Sequence, residues 1–182
     1  MNIELILFDL DDTLYPSSSG VWSKIRERID LFMIEKLGYK FENVHEAREE
    51  FFRKFGTTLR GLESVHNIDT SDYLEFVHDI PLNSFIKPNL KLDKILSSIP
   101  IKKAIFTNAD RNHAKRVTSA LQISHHFDDV VDIIDVNPFC KPMLESFQIA
   151  FRKLGINDPQ KILLVDDNSR NIKVARSLGL ET

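Results

Sequence analysis

The chain has 182 residues, 42% of them hydrophobic and 28% charged, and its 24 Lys/Arg against 27 Asp/Glu leave a formal net charge of −3. That balance excludes a protein held to nucleic acid by a basic face, and no run of like charge would behave as a polyelectrolyte tail. The single cysteine, Cys140, cannot close an intramolecular disulfide, Met1-Asn2-Ile3-Glu4 lacks the basic-then-apolar layout of a signal peptide, and no apolar run approaches the length of a membrane span. A cytoplasmic setting is expected, with neither membrane nor nucleic acid as partner.

In chain order, residues 3–8 form a compact apolar run, too short for a helix and read as a buried strand, which runs into Asp9-Leu10-Asp11-Asp12-Thr13. From Pro16 to Pro88 no further strand signal occurs. Helical patterns lie at 21–37, 43–55 and 70–79, with a shorter piece around 59–66. Pro16-Ser17-Ser18-Ser19-Gly20 marks the exit and 81–88 the return. The expected organisation is therefore an α/β core of residues 1–15 and 88–182 with a helical domain, 16–87, inserted after the first strand. An insertion that starts directly behind an aspartate cluster is expected to cover that cluster. Beyond it, strands at 103–106, 130–134 and 162–165 alternate with helical patterns at 110–121, 143–154 and 168–178, the last two stopping at Gly155 and Gly179. Strand-helix alternation predicts a doubly wound parallel sheet.

Three strands end in polar clusters: Asp9 to Thr13, Thr107-Asn108-Ala109-Asp110, and Asp166-Asp167-Asn168-Ser169. In a parallel α/β sheet such clusters converge at the carboxyl edge, where ligands bind. Two carboxylates about 4 Å apart repel by roughly 4 kcal/mol at an effective dielectric near 20. Asp9, Asp11, Asp166 and Asp167 thus call for a cation. An all-oxygen site with room for water and a phosphate suits Mg²⁺ better than a Ca²⁺ cage, and neither the EF-hand pattern nor Cys/His zinc spacing is present. Thr107 and Asn108, beside the N–H groups that open a helix, make an anion site, and Lys141, followed by Pro142, adds a positive charge. Carboxylates, a metal, a lysine and helix N-termini together suit phosphoryl transfer.

Asp9-Leu10-Asp11-Asp12-Thr13-Leu14, Thr107-Asn108, Lys141-Pro142 and Asp166-Asp167-Asn168, in this order, resemble the four motifs of the haloacid dehalogenase superfamily. The helical insertion resembles that superfamily's C1-type cap, on a Rossmann-like core. More narrowly, Phe8 to Pro16, Phe55-Gly56-Thr57-Thr58-Leu59-Arg60-Gly61-Leu62 with His66-Asn67-Ile68-Asp69, and Phe106-Thr107-Asn108-Ala109 followed by His113-Ala114 resemble the pyrimidine 5′-nucleotidase-like branch.

The resemblance implies that Asp9 attacks phosphorus and becomes a phospho-aspartate, while Asp11 protonates the leaving oxygen and then takes a proton from water. It implies Mg²⁺ held by Asp9, by the backbone carbonyl of Asp11, by Asp167 directly and by Asp166 through water, with Thr107, Asn108 and Lys141 on the phosphate. The implied reaction is hydrolysis of a small phosphomonoester, a nucleoside 5′-monophosphate by the branch-level likeness. A phosphatase or phosphomutase of small sugar or polyol phosphates is the alternative within enzymes, and a non-catalytic binding protein on the same fold the alternative outside them. An aspartate at position 11 favours phosphatase chemistry over dehalogenation.

Among the remaining residues, Asp12 is expected to hydrogen-bond in a turn and Thr13 to orient the loop. Asn171 fits either the site or the helix surface. Cys140 is expected to be a small filler residue, His125-His126 a surface corner, and Phe41, Phe51 and Phe52 part of the cap core. The chain stops at Thr182, soon after the last motif, where the family usually continues with another strand and helix. The oligomeric state stays open.

Overall fold

The structure, a computed structural model, describes residues 2–182. It forms two compact units, one made of the segment up to Ser19 together with Leu82–Thr182, the other of Gly20–Pro81.

In the first unit, β1 (Leu5–Phe8), β2 (Lys102–Phe106), β3 (Asp129–Val131) and β4 (Ile162–Val165) pair in parallel in the order β3-β2-β1-β4. The central position of β1 follows from its composition, because Ile6, Leu7 and Phe8 offer apolar surface to both faces and all three are buried. Leu7, Ala104, Phe106 and Leu164 share a core with Phe147, Ala150 and Phe151 of α8 (Leu144–Leu154) and Ala175 of α9 (Ser169–Ser177). Phe106 meets Phe147 edge-on at 5.2 Å. By the alternation of strand side chains, Ile6, Phe8 and Ile105 lie on the other face, where the Phe8 ring meets Phe127 at 5.8 Å. Phe8 stands opposite Ile105 and Val165 in the register, so the residues that follow the three strands emerge side by side at one edge.

The sheet is all parallel and the elements alternate, as the spacing predicts, with three differences. β3 stops at Val131 instead of running to 134. The buried Asp132 turns the chain there, its carboxylate accepting the N–H of Arg111 at 2.8 Å and that of Asp135 at 2.9 Å. Two helices appear that periodicity did not reveal: α5 (Leu82–Phe85), in the stretch expected to be a bare return linker, and α6 (Leu90–Ser98). α6 is nine residues long, buries only Leu96 and leaves Leu90 and Ile95 exposed, and its start is set by Asn89, which accepts the N–H of Leu92 at 3.0 Å. Finally, Glu181 bridges to Leu163 in parallel, on the flank of β4 away from β1.

The second unit contains α1 (Val21–Leu37), α2 (Phe41–Phe55), α3 (Thr58–Val65) and α4 (Thr70–His78). It is narrower than the expected span of 16–87, because Ser17–Ser19 form a single 3₁₀ turn and α5 belongs to the sheet unit. Ile25, Ile29, Phe32 and Met33 of α1 and Tyr73, Leu74 and Val77 of α4 are buried, with the rings of Phe32 and Tyr73 5.0 Å apart. Phe51 packs over Gly61, where an added Cβ would stand 2.4 Å from the Phe51 Cβ. Phe41 corrects an expectation: it is 80% exposed at the first position of α2 and takes no part in the core. No helix among the described residues is long and apolar enough to cross a membrane.

Candidate active site

The loop after β1 tightens at once. Leu14 N–H reaches back to Leu10 O at 3.0 Å, and Asp12 takes a left-handed φ of 60°, a conformation that Asp tolerates better than most residues. This turn keeps Asp9, Asp11 and Thr13 together. Thr13 Oγ1 donates to Asp9 Oδ2 at 3.2 Å and accepts the N–H of Asp167, also at 3.2 Å, which ties the first loop to the last.

Lys141 occupies the centre and is 1% exposed. Its ammonium donates to Asp9 Oδ1, Asp166 Oδ2 and Phe106 O, each at 2.7 Å, so all three protons are committed to protein oxygens. Asn108 holds the Lys141 backbone from both sides, donating from Nδ2 to Lys141 O at 2.9 Å and accepting Lys141 N–H at Oδ1 at 2.8 Å. The Asn108 side chain thus aims the lysine, while the buried Thr107 hydroxyl accepts the N–H of Ala109 at 3.0 Å. Asp166 is saturated in turn. Besides Lys141, it accepts the N–H of Asn168 at 2.9 Å, and both its oxygens accept from Asn171 Nδ2 at 2.9 Å. Asn171 therefore belongs to the site rather than to the helix surface.

One ammonium here faces two buried carboxylates. Burial foremost, reinforced by Asp166 and Asp11 and opposed by Lys141, pushes the Asp9 carboxyl up to about 7. Burial also works against the Lys141 charge, but Asp9 and Asp166 outweigh it and hold the lysine above its ordinary pKa, so it stays an ammonium. Asp167, more exposed, is raised mainly by its partial burial and then by Asp166. One carboxylate oxygen from each of Asp9, Asp166 and Asp167 lies within 4.8 Å of the others. An oxygen-only set with an unbalanced negative charge and a partly open side fits a hard divalent cation such as Mg²⁺.

Asp11 stands apart from that trio. Its Oδ1 lies 2.9 Å from His113 Nε2 and accepts the Tyr15 hydroxyl at 2.5 Å. The His113 side chain is wholly buried in the first turn of α7 (Arg111–Leu121), which starts where Asp110 accepts the N–H of His113. Burial first, and then the Asp11 charge, drives the Tyr15 pKa far up, so the phenol keeps its proton and acts as a donor. Neither Tyr15 nor His113 stands out as a functional residue in the sequence, where a lone histidine and a lone tyrosine have no diagnostic spacing. Their only signal is that both lie in the segments that carry the branch-level likeness.

The haloacid dehalogenase-like hydrolase family model matches residues 3–179. Phosphate metabolism protein 8 of Saccharomyces cerevisiae is 28% identical over 97% of this chain, which spans 60% of that protein's length. The glyceraldehyde 3-phosphate phosphatase of Methanocaldococcus jannaschii is 26% identical over 99% of this chain and 83% of its own. In fold, the chain is similar to the HAD-hydrolase YfnB of Bacillus subtilis, solved bound to magnesium, with a TM-score of 0.64, 18% identity, and coverage of 99% of this chain and 87% of that one.

Proposed function

Because the chain belongs to the haloacid dehalogenase-like hydrolase family, we propose that it hydrolyses small phosphomonoesters through a phospho-aspartate formed on Asp9. The observation that carries this reading is the division of two carboxylates only two residues apart. Asp9 faces Lys141 and the carboxylates of Asp166 and Asp167, whereas Asp11 is held by Tyr15 and His113. One is set up as an ionised nucleophile beside a cation, the other as a group that gives and takes a proton.

In the first half-reaction an Asp9 oxygen bonds to phosphorus, the ester P–O bond breaks, and Asp11 delivers its proton to the leaving oxygen. In the second, Asp11 takes a proton from water as the water oxygen bonds to phosphorus and the Asp9–phosphorus bond breaks. Phosphate is released and Asp9 regenerated. Thr107 and the backbone of Asn108 hold the phosphoryl oxygens, and Lys141 offsets charge on Asp9 from behind. Asp9, Asp167, the backbone carbonyl of Asp11 and, through water, Asp166 would hold Mg²⁺. When bound, the ion neutralises charge on the phosphoryl oxygens and favours the ionised form of Asp9. The inserted helical unit is assigned the role of the family's substrate-selecting cap.

Within this chemistry the substrate is read as a nucleoside 5′-monophosphate, on the motif likeness at 8–16, 55–69 and 106–114. The likeness to a phosphatase of glyceraldehyde 3-phosphate favours a small sugar phosphate as the second reading. A panel of UMP, CMP, AMP and sugar phosphates, assayed with Mg²⁺ and with chelator for wild type and Asp9→Asn, tests both levels. Phosphate release should require the metal and vanish in the variant, with the pyrimidine nucleotides turned over fastest. Full activity of Asp9→Asn or in chelator would overturn the mechanism. Preference for a sugar phosphate would overturn the nucleotide assignment alone.

A further inference from the structure

A second convergence of metal-ligating atoms lies at the opposite end of the sheet, ahead of β3 and independent of the hydrolytic site. Asp93 sits in the first turn of α6, and His125 and His126 in the 3₁₀ turn Ser124–His126. Asp93 Oδ1 is 3.2 Å from His125 Nε2 and 2.7 Å from His126 Nε2, and one ligating atom of each residue lies within 4.8 Å of the other two. The two imidazoles have their centroids 4.0 Å apart and their planes tilted by 42°, and both bring Nε2 to Asp93 Oδ1.

We propose that Asp93, His125 and His126 bind one borderline divalent transition cation, Zn²⁺ in the first instance, which clamps the start of α6 onto the turn that leads into β3.

The first reason is geometric. Two ligands of a tetrahedral Zn²⁺ at bond lengths of about 2.0–2.1 Å stand about 3.3 Å apart. The His125–Asp93 separation already matches, and the His126–Asp93 contact has only to open by about half an ångström, within the freedom of a side chain. Each imidazole offers its lone pair at Nε2 once the proton resides on Nδ1, so two N–H···O contacts are exchanged for two N–metal bonds and one O–metal bond.

The second reason is preorganisation. Asn89 caps α6 and donates its own N–H to Leu121 O at 3.1 Å, which joins the start of α6 to the end of α7. Asp93 N–H bonds to Asn89 O at 2.9 Å. On the other side, Ile123 is fully buried, His126 N–H reaches Ile123 O at 3.1 Å, and Ser124 Oγ donates to Thr118 Oγ1 at 3.2 Å. The ligands are therefore held on two segments that are already stitched together, and little ordering is left for the ion to impose.

The third reason is chemical selectivity. Two nitrogens and one oxygen suit Zn²⁺, Co²⁺ or Ni²⁺, whereas Mg²⁺ prefers the all-oxygen set at Asp9, Asp166 and Asp167. The His125 side chain is 65% exposed and His126 9%, leaving one side open for a water as fourth ligand.

The experiment is a calorimetric titration of the untagged full chain with Zn²⁺ in excess Mg²⁺, repeated for His125→Ala, Asp93→Asn and Asp167→Asn. Thermal melts and the visible spectrum of the Co²⁺ form accompany it. Wild type and Asp167→Asn should bind one equivalent with micromolar affinity and melt at higher temperature with Zn²⁺. His125→Ala, at an exposed position that keeps the fold, should bind about tenfold or more weakly and lose both the stabilisation and the four-coordinate Co²⁺ spectrum. Equal Zn²⁺ binding by His125→Ala and wild type, or no binding by wild type, overturns the proposal. Neither result bears on Asp9.

Discussion

Lys141 and Asp9, 132 residues apart in the chain, meet at 2.7 Å with the lysine 1% exposed. The same ammonium bonds Asp166 at 2.7 Å, so this single positive charge is what lets two buried carboxylates share one sheet edge. Lys141→Met should leave both without a counter-charge. Breaking a buried pair by removing one partner costs about 3–5 kcal/mol. Urea unfolding in chelator should show a loss of that order, and phosphatase activity assayed separately with Mg²⁺ should be lost, while an unchanged midpoint would refute the balance described for the site.

The Asp9 carboxyl, raised from 3.8 to about 7, gives the metal-free protein a pH signature. Between those values the folded state binds a proton that the unfolded chain has released, so stability falls as pH rises. The contribution of Asp9 is complete below pH 4 and lost once pH passes 7. In chelator, wild type should lose stability from pH 5 to pH 8 relative to Asp9→Asn, and saturating Mg²⁺ should flatten the difference by favouring the carboxylate. Parallel pH curves for the two proteins would contradict this.

Tyr15 and His113 are read as positioning residues that act through Asp11. A hydrogen bond to a charged group contributes about 1.5–3 kcal/mol, so Tyr15→Phe and His113→Gln should each lower kcat by roughly 10- to 100-fold. The distinguishing readout is the leaving group. With an aryl phosphate whose leaving oxygen needs no proton, the defect should shrink markedly, whereas a merely structural loss would lower both substrates alike.

Gly61 marks a close approach inside the helical unit. The Cβ of Gly61→Ala would stand 2.4–2.5 Å from Phe51 atoms, and overpacking of this kind costs about 1–3 kcal/mol. Thermal melts should show the loss, and Phe51→Leu in the same chain should not recover it, because leucine keeps the Cβ and Cγ that crowd the site. An unchanged melting temperature would mean that the backbone of α2 shifts away from α3 at little cost.

Much of this arrangement is legible in the sequence because it rests on short-range rules. Apolar runs of four to five residues become strands, polar clusters at their ends fall on one edge, and Gly155 and Gly179 adopt positive φ, 66° and 89°, where helices stop. Asp9, Asp166 and Asp167 gather because two adjacent parallel strands, β1 and β4, end in register, which any sheet of this order would enforce.

What local pattern could not supply are the partners chosen across long sequence gaps. Asn108 reads as a phosphate ligand by type, yet its side chain grips the backbone 33 residues away at Lys141. His113 reads as one of six scattered histidines, but the first turn of α7 brings it onto Asp11, 102 residues upstream. α6 spans only nine residues and buries a single side chain, and Phe41 has the composition of a core residue at a position the helix leaves in solvent. The sequence by itself determined which chemical groups stand at the sheet edge, because strand ends are dictated locally. Only the tertiary structure decided which of those groups are neutralised, which are aimed and which stay open, because those outcomes depend on distance and burial between segments that periodicity treats as independent.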